Sequence, residues 1–167
     1  MNKNILNKRL QNIKLIILDV DGVMTDGKII YSSDGREYKN FHAHDGFGIV
    51  RGKRSGLTFG IISGRSSPMV LKRAEKLGID FVIQDREDKL EAFEEIKPKQ
   101  KFSLKETAFI GDDEFDIDLL KAVGFSACPS NAVSAVKKVV HYIAENEGGN
   151  GAVREIIDMI LIAQKKI

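Results

Sequence analysis

Three short apolar segments, each followed at once by acidic, hydroxyl-bearing or glycine residues, constrain the fold of this chain more than any other feature. They occupy residues 14–18, 57–62 and 107–110. Apolar runs of this length are typical of parallel strands buried on both faces. Helical patterns lie between and after these segments, near residues 66–77, 88–96 and 114–123. This alternation predicts an α/β fold, a doubly wound, Rossmann-like parallel sheet with helices on both faces.

Proline and glycine residues mark the ends of two of these helices. Ser66 or Ser67 is predicted to cap the first helix, which has Pro68 in its first turn. Gly78 is placed to end that helix. Pro98 is predicted to stop the second helix, because a proline donates no backbone hydrogen bond.

One segment interrupts the alternation of strands and helices. Residues 28–31 and 36–42 have the character of two strands, and the turn-forming residues 32–35 separate them. This pattern predicts a β-hairpin at about residues 27–43, between the first core strand and a helix that begins near Asp45. We expect the hairpin to act as a flap.

Length and charge limit the class of protein. The 167 residues are enough for one domain with a continuous core, and we expect a single domain over residues 1–167. The 26 Lys and Arg residues nearly balance the 24 Asp and Glu residues, which predicts no nucleic-acid or membrane-surface partner. A single cysteine, Cys128, no secretory leader and no apolar run of membrane-spanning length predict a cytoplasmic protein.

The polar turns after the three predicted strands define a candidate site, because ligands of open parallel sheets bind at the carboxyl ends of the strands. Asp19 and Asp21 follow the first strand with a spacing of two. One carboxylate can attack phosphorus as a nucleophile, and the other can protonate the leaving oxygen. An isolated pair of this kind is weak evidence, since aspartates commonly end strands.

The other two turns supply residues suited to phosphate and metal chemistry. Asp112 follows the third strand and is the best-placed partner of Asp19 for Mg²⁺, which prefers oxygen ligands. Asp113 and Asp116 are explained equally well as acids at a helix start. Ser63 can donate its hydroxyl to a phosphoryl oxygen, and Lys89 can neutralise charge on the transferred phosphoryl group.

In this order, Asp19-Val-Asp-Gly-Val, Ser63, Lys89 and Gly111-Asp-Asp-Glu-Phe-Asp resemble the four motifs of the haloacid dehalogenase superfamily of phosphatases. The resemblance implies the haloacid dehalogenase fold and hydrolysis of a phosphate monoester through an aspartyl-phosphate on Asp19. It implies Asp21 as general acid and base. Mg²⁺ would be held by Asp19, the backbone carbonyl of Asp21, and Asp112.

The chain from about Ile13 onward is similar to one branch of that superfamily, the 3-deoxy-D-manno-octulosonate 8-phosphate phosphatases, which serve lipopolysaccharide precursor synthesis. The resembling stretches are residues 18–27, 44–49, 62–66 and 148–155. The branch implies a sugar-acid phosphate substrate, a hairpin in place of a cap domain, and a homotetramer in which neighbouring subunits close the active sites.

Substrate-binding residues are predicted at positions that match the branch. The candidates are two arginines and the turn before the first helix: Arg65, Arg73, His42, His44, Asp45 and Gly46. His44 and Val50 depart from the pattern, since the branch implies an arginine at position 44 and a basic residue at position 50. The phosphate of a related nine-carbon keto acid is therefore an alternative substrate.

Two functions of other classes compete with this interpretation. A response-regulator receiver also carries an acid cluster, a hydroxyl residue and a lysine on a doubly wound sheet, but it would place its phosphorylated aspartate after the third strand. A non-catalytic oligomerisation module of the same superfamily would be expected to lose motif residues. This chain retains all five of them: Asp19, Asp21, Ser63, Lys89 and Asp112.

Overall fold

The computed structural model describes residues 3–167, and for residues 97–100 it describes the backbone alone. It contains eight strands: β1 (Leu15–Leu18), β2 (Ile30–Tyr31), β3 (Glu37–Tyr38), β4 (Thr58–Ile62), β5 (Phe81–Ile83), β6 (Thr107–Ile110), β7 (Phe125–Cys128) and β8 (Tyr142–Ile143). Six of them form one parallel sheet in the order β5-β4-β1-β6-β7-β8. β2 and β3 form a separate antiparallel hairpin.

The described residues also form seven α-helices: α1 (Lys3–Gln11), α2 (Ala43–Arg54), α3 (Pro68–Leu77), α4 (Lys89–Gln100), α5 (Ile117–Ala122), α6 (Ser134–Lys137) and α7 (Ala152–Ala163). Buried residues of α1, α2, α3 and α7 pack on one face of the sheet, where Phe59 and Ile157 belong to the same core. Buried residues of α4, α5 and α6 pack on the other face, around Phe93 and Phe109. The predicted doubly wound α/β fold is therefore confirmed.

The central position of β1 brings three polar turns together. Every residue of β1 is buried, and its last residue, Leu18, lies in register with Ile61 of β4 and Ile110 of β6. The three strands therefore end at the same level. The residues that follow them, around Asp19, Ser63 and Gly111, meet at one edge of the sheet.

The predicted helix ends are confirmed for α3, and the predicted end is wrong for α4. Ser67 occupies the N-cap position of α3, Pro68 is its first residue, and Gly78 ends it with φ +67°. The predicted stop at Pro98 is wrong, because α4 continues to Gln100. A proline so close to the end of a helix removes one intrahelical hydrogen bond without preventing the last turn.

The hairpin is present but is shorter than predicted. Ile30 pairs with Tyr38 and Tyr31 pairs with Glu37, so each strand has two residues. Gly35, with φ +82°, forms part of the turn. Ile30, Tyr31 and Tyr38 are exposed. Between residues 3 and 167, no helix is long and apolar enough to cross a membrane.

Candidate active site

Asp19, Lys89 and Asp116 form a buried ionic cluster at the carboxyl end of the sheet. Asp19 directly follows β1, and Lys89 is the first residue of α4. The Lys89 ammonium lies 2.8 Å from Asp19 Oδ1 and also donates to Asp116 Oδ1. A lysine side chain that is 4% exposed requires anionic partners, because an unpaired buried charge is very costly. Lys89 thus holds the Asp19 carboxylate in place.

Asp116 has a larger part than the sequence indicated. The sequence explains Asp116 equally well as an acid at the start of a helix. In the structure its side chain is buried and is the second carboxylate that contacts the Lys89 ammonium. Its Oδ2 accepts hydrogen bonds from the backbone N–H groups of Asp112, at 2.8 Å, and Asp113, at 3.1 Å. A Cβ at Gly111 would overlap this carboxylate. Asp116 therefore anchors the loop that carries Asp112.

The charges of this cluster shift its proton affinities. Burial, together with the charge of Asp116, raises the pKa of Asp19 to about 6 in spite of the opposing attraction of Lys89. Burial lowers the pKa of Lys89, but the charges and hydrogen bonds of Asp19 and Asp116 outweigh it, so that the pKa is raised. Lys89 therefore stays protonated, which favours an ionised Asp19 at neutral pH.

Asp112 completes a group of three carboxylates. Oxygen atoms of Asp19, Asp112 and Asp116 lie within 4.8 Å of one another. Asp112 Oδ1 is buried, and it accepts no hydrogen bond from the part of the chain that the structure describes. A Cβ at Gly22, where φ is +90°, would overlap the Asp112 carboxylate, so the turn after Asp21 lies directly against it. Burial and the charges of Asp19 and Asp116 raise the pKa of Asp112 to about 8.

These features fit a hard divalent cation. One lysine cannot neutralise three carboxylates, and Asp112 Oδ1, which accepts no hydrogen bond from the described residues, is suited to contact a cation. Mg²⁺ is commonly bound by one or two carboxylates together with phosphate oxygens and water. Both oxygens of Asp116 are already engaged by Lys89 and backbone N–H groups, which leaves Asp19 and Asp112 as the side-chain ligands.

The affinity for Mg²⁺ is expected to fall as the pH is lowered from 8. Because Asp112 has a pKa of about 8, Mg²⁺ must displace a proton from it at neutral pH. Displacement of the Asp112 proton alone predicts a dissociation constant that rises about fivefold from pH 8 to pH 7 and about fiftyfold from pH 8 to pH 6. Protonation of Asp19, whose pKa is about 6, adds about a further twofold at pH 6. Calorimetric titration of the protein with MgCl₂ at these pH values measures the change, with Asp112→Asn as the variant that abolishes binding.

The raised pKa of Asp112 also determines how the stabilisation of the protein by Mg²⁺ depends on pH. A carboxyl group whose pKa is raised on folding costs no stability below its unfolded value of 3.8, and the cost grows until the pH exceeds the folded value. Mg²⁺ should therefore raise the melting temperature more at pH 8 than at pH 6. An equal rise at both pH values would contradict the assignment of Asp112 as a ligand.

A cavity of about 230 Å³ opens above the cluster. It is lined by Asp19, Asp21, Ser63, Gly64, Arg65, Glu87, Lys89, Asp113, Phe115 and Asp116. All four predicted catalytic residues are therefore together: Asp19, Asp21, Ser63 and Lys89. The Ser63 hydroxyl also accepts a hydrogen bond from the backbone N–H of Arg65 at 3.3 Å. The cavity is large enough for a phosphoryl group and the part of a substrate next to it.

Two hairpin residues that the sequence did not single out also reach the site. The Lys39 ammonium donates to Asp21 Oδ1 and lies 3.4 Å from Glu37 Oε1. Arg65 forms a second bridge, 3.1 Å from Glu37 Oε2 and 3.7 Å from Asp21 Oδ2. No sequence signal distinguishes Lys39 from the other exposed-looking polar residues of the hairpin, since its partners are distant along the chain.

Of the predicted substrate-binding residues, Arg65 lines the cavity and the others do not: His42, His44, Asp45, Gly46 and Arg73. Arg73 donates to the backbone carbonyl of His42 at 3.2 Å and stacks on the ring of Phe41. A Cβ at Gly46 would overlap its guanidinium. Within one chain, Arg73 thus holds the start of α2 in place, and its predicted contact with substrate stays a prediction.

Asp45 acts as a cap for a distant helix. Its Oδ1 accepts from the backbone N–H of Arg154 at 2.8 Å, and its Oδ2 accepts from that of Gly151 at 3.3 Å. Both groups are at the start of α7, where backbone donors lack intrahelical partners. Burial raises the pKa of Asp45 in spite of these hydrogen bonds. The structure therefore occupies both carboxylate oxygens in joining α2 to α7.

Asp45→Ala is expected to lower the free energy of unfolding by about 1–2 kcal/mol, because the substitution leaves two N–H groups of the α7 terminus without an acceptor. Urea denaturation measures this loss. Glu75→Ala, at an exposed position of α3, is the matched control and should change stability by less than about 0.5 kcal/mol. A KM raised tenfold with unchanged stability would instead indicate a substrate contact.

Several known proteins are similar to this chain in sequence and in fold. A family model described as haloacid dehalogenase-like hydrolase matches residues 81–156. The 3-deoxy-D-manno-octulosonate 8-phosphate phosphatase KdsC of Yersinia pestis is 39% identical over 160 residues, which cover 96% of this chain and 86% of that protein.

Two crystal structures are similar over nearly the whole chain. One is the 3-deoxy-D-manno-octulosonate 8-phosphate phosphatase of Moraxella catarrhalis, in complex with a magnesium ion, a phosphate ion and a KDO molecule. It has a TM-score of 0.96 and 42% identity, covering 98% of this chain and 94% of that one. The other is a probable YrbI family phosphatase of Pseudomonas syringae, with a TM-score of 0.96 and 39% identity, covering 99% and 94%.

Proposed function

Because the chain belongs to the haloacid dehalogenase-like hydrolases, in the branch of 3-deoxy-D-manno-octulosonate 8-phosphate phosphatases, we propose that it hydrolyses this sugar-acid phosphate to the free sugar acid and phosphate. Mg²⁺ is the cofactor, and lipopolysaccharide precursor synthesis is the process served. One observation carries the proposal: the Asp19 carboxylate lies 2.8 Å from the Lys89 ammonium and within 4.8 Å of an Asp112 carboxylate oxygen, in a cavity that Asp21 also lines.

In the first step, a carboxylate oxygen of Asp19 attacks phosphorus, and the bond from phosphorus to the sugar oxygen breaks. Asp21 donates a proton to the departing oxygen, so that the sugar leaves as an alcohol. Lys89 fixes the nucleophile and offsets negative charge on the phosphoryl group. Asp19, Asp112 and the backbone carbonyl of Asp21 would hold Mg²⁺, which when bound would offset negative charge on the phosphoryl group and orient it.

In the second step, water attacks the phosphorus of the aspartyl-phosphate and releases inorganic phosphate, which restores the Asp19 carboxylate. Asp21, ionised after the first step, accepts the proton of this water. The Ser63 hydroxyl donates to a phosphoryl oxygen in both steps. The proton that Asp21 accepts from this water replaces the proton that it donated to the leaving oxygen.

The test is phosphate release from three esters in the presence of MgCl₂ or a chelator. These are 3-deoxy-D-manno-octulosonate 8-phosphate, the phosphate ester of a nine-carbon keto acid, and an aryl phosphate. Chelator-sensitive turnover that is fastest with the octulosonate ester is the expected result. A preference for the nine-carbon ester would overturn the substrate assignment and retain the mechanism. No release from any of the three would overturn the proposed function.

The same proposal includes a homotetramer whose subunits close each other's sites. The hairpin supports it, because Ile29, Ile30, Tyr31 and Tyr38 are exposed at its surface. A two-stranded hairpin is marginally stable in water and gains from packing against another surface. Light scattering at micromolar concentration should give a mass of about four chains. A monomer under those conditions would contradict this part of the proposal.

We further place this enzyme in the cytoplasm and treat residues 1–167 as a single domain with the hairpin as its flap. The buried free thiol of Cys128 is compatible with a reducing compartment. The nearly balanced charges support a small-molecule substrate over a nucleic-acid or membrane partner. One cooperative thermal transition is expected for a single domain, and two separate transitions would contradict it.

A further inference from the structure

Lys39 is an unusual residue for its position. It follows the short strand β3 of a hairpin whose neighbouring residue Tyr38 is exposed, yet the side chain of Lys39 is only 4% exposed. Burial of an ammonium group is unfavourable unless anions compensate for the lost hydration. The compensating anions are Asp21 and Glu37. The hairpin thus places a buried cation directly on the general acid and base.

Arg65 closes this contact into a four-membered ionic network. Asp21 interacts with Lys39 through Oδ1 and with Arg65 through Oδ2, at 3.7 Å. Glu37 interacts with the same two cations, through Oε1 with Lys39 and through Oε2 with Arg65. Each carboxylate therefore has one cation at each oxygen. This arrangement defines the rotation of the Asp21 carboxylate as well as its position.

We propose that Lys39 is a positioning residue for Asp21. Through this contact, the hairpin orients the one residue that acts as both general acid and general base. The inference rests on the proposed function. Asp21 is followed by Gly22, whose φ of +90° makes a sharp turn, and its side chain is 26% exposed. Without Lys39, the described residues leave Asp21 only Arg65, whose side chain is 42% exposed, so the Asp21 side chain can rotate away from the phosphoryl group. A misplacement of about 1 Å can cost about 100-fold in rate.

This role predicts a specific kinetic pattern for Lys39→Met. With the octulosonate ester, kcat should fall about 10- to 100-fold while KM changes less than threefold, because both proton transfers depend on Asp21. With dinitrophenyl phosphate, the leaving phenolate needs no proton, so the first step stays fast. The second step still needs a base for water. We expect a burst of about one dinitrophenolate per subunit, followed by slow turnover.

Two controls separate positioning from a general effect on the hairpin. Lys28→Met removes a hairpin lysine that pairs with Asp26 and is 77% exposed, and it should leave kcat within twofold. Lys39→Cys, treated with bromoethylamine, regenerates a side chain with a terminal ammonium at nearly the length of lysine. Cys128 is fully buried and is protected from this reagent. Treatment should restore most of the lost kcat and remove the burst.

The possible outcomes distinguish a positioning role of Lys39 from substrate binding and from support of the fold. A higher KM with unchanged kcat, or a lower kcat without a burst, would overturn the inference, since Lys39 would then bind substrate or only support the fold. Should Lys39→Met not fold, Lys39→Gln is measured in the same way. Absence of phosphate release by the unaltered protein would refute the proposed function itself. Full activity of that protein, together with an unaffected Lys39→Met, would refute the positioning role alone.

Discussion

Replacing Asp19 with asparagine is expected to lower phosphate release by about 10⁵-fold without unfolding the protein. The amide of asparagine cannot form the acyl-phosphate bond, and the loss of a nucleophile removes both steps of the reaction. Asparagine has nearly the same shape as aspartate, and Asp116 remains as an anion for Lys89. The melting temperature should therefore change by only a few degrees. Stopped assays with the octulosonate ester and thermal unfolding measure the two effects.

The matched control is Asp118→Asn, at an exposed position of α5, which should retain activity within twofold. Acid quenching during turnover gives a second readout, because the unaltered enzyme should carry acid-stable phosphate on Asp19 and the Asp19→Asn variant should carry none. Retained activity in that variant would show that another residue is the nucleophile. The proposed mechanism would then be wrong even if the substrate were right.

The second large effect is expected for Lys89→Met, which removes the buried ammonium between Asp19 and Asp116. Activity should fall about 10³-fold, since the transition state loses a preorganised positive charge and Asp19 loses the group that holds it. Two buried carboxylates remain without their cation, and removal of one partner of a buried ion pair typically costs about 3–5 kcal/mol. Urea denaturation near neutral pH measures this loss.

The destabilisation should depend on pH in a defined direction. Lys89 opposes the rise in the pKa of Asp19, so its removal raises that pKa further above about 6. A raised folded-state pKa costs stability above the unfolded value and reaches its full cost above the folded value. The stability difference between Lys89→Met and the unaltered protein should therefore be largest near pH 8 and smallest near pH 4. A constant difference would contradict the ionic role of Lys89.

Two further variants complete the test of the cluster. Lys89→Met combined with Asp116→Asn removes one of the two unpaired carboxylates, so that it should recover part of the stability but none of the activity. Lys72→Met, at an exposed position of α3, is the control for the change of residue type and should be nearly neutral. Recovery of activity in the double variant would show that charge balance alone, and not the ammonium, is required.

The residues that follow β1, β4 and β6 could be placed from the sequence because two regularities combine. Buried parallel strands appear as apolar runs, and adjacent parallel strands end at the same edge of the sheet. Asp19, Ser63 and Asp112 each follow such a run, and the order of the motifs identified the family. The doubly wound fold, the family and the requirement for Mg²⁺ needed no further information.

Other parts of the site could not be predicted because they depend on packing between distant segments. Asp116 and Lys89 are 27 positions apart, and only the crossing of α4 over the sheet brings them into contact. Lys39 meets Asp21 because the hairpin packs against the turn that follows β1. Asp45 matched the family pattern as a substrate residue, yet the start of α7, more than a hundred residues later in the chain, occupies both of its oxygens.

The sequence by itself determined the α/β class, the family and the chemistry, since apolar periodicity and residue types are local properties that survive without coordinates. The tertiary structure decided which charges are paired. From the sequence alone, a single aspartate or lysine cannot be distinguished from a solvated surface residue. Only burial of its charge makes an oppositely charged partner necessary. Asp116, Lys39 and Asp45 obtain their roles in this way, from the free energy of placing a charge or a helix terminus away from water.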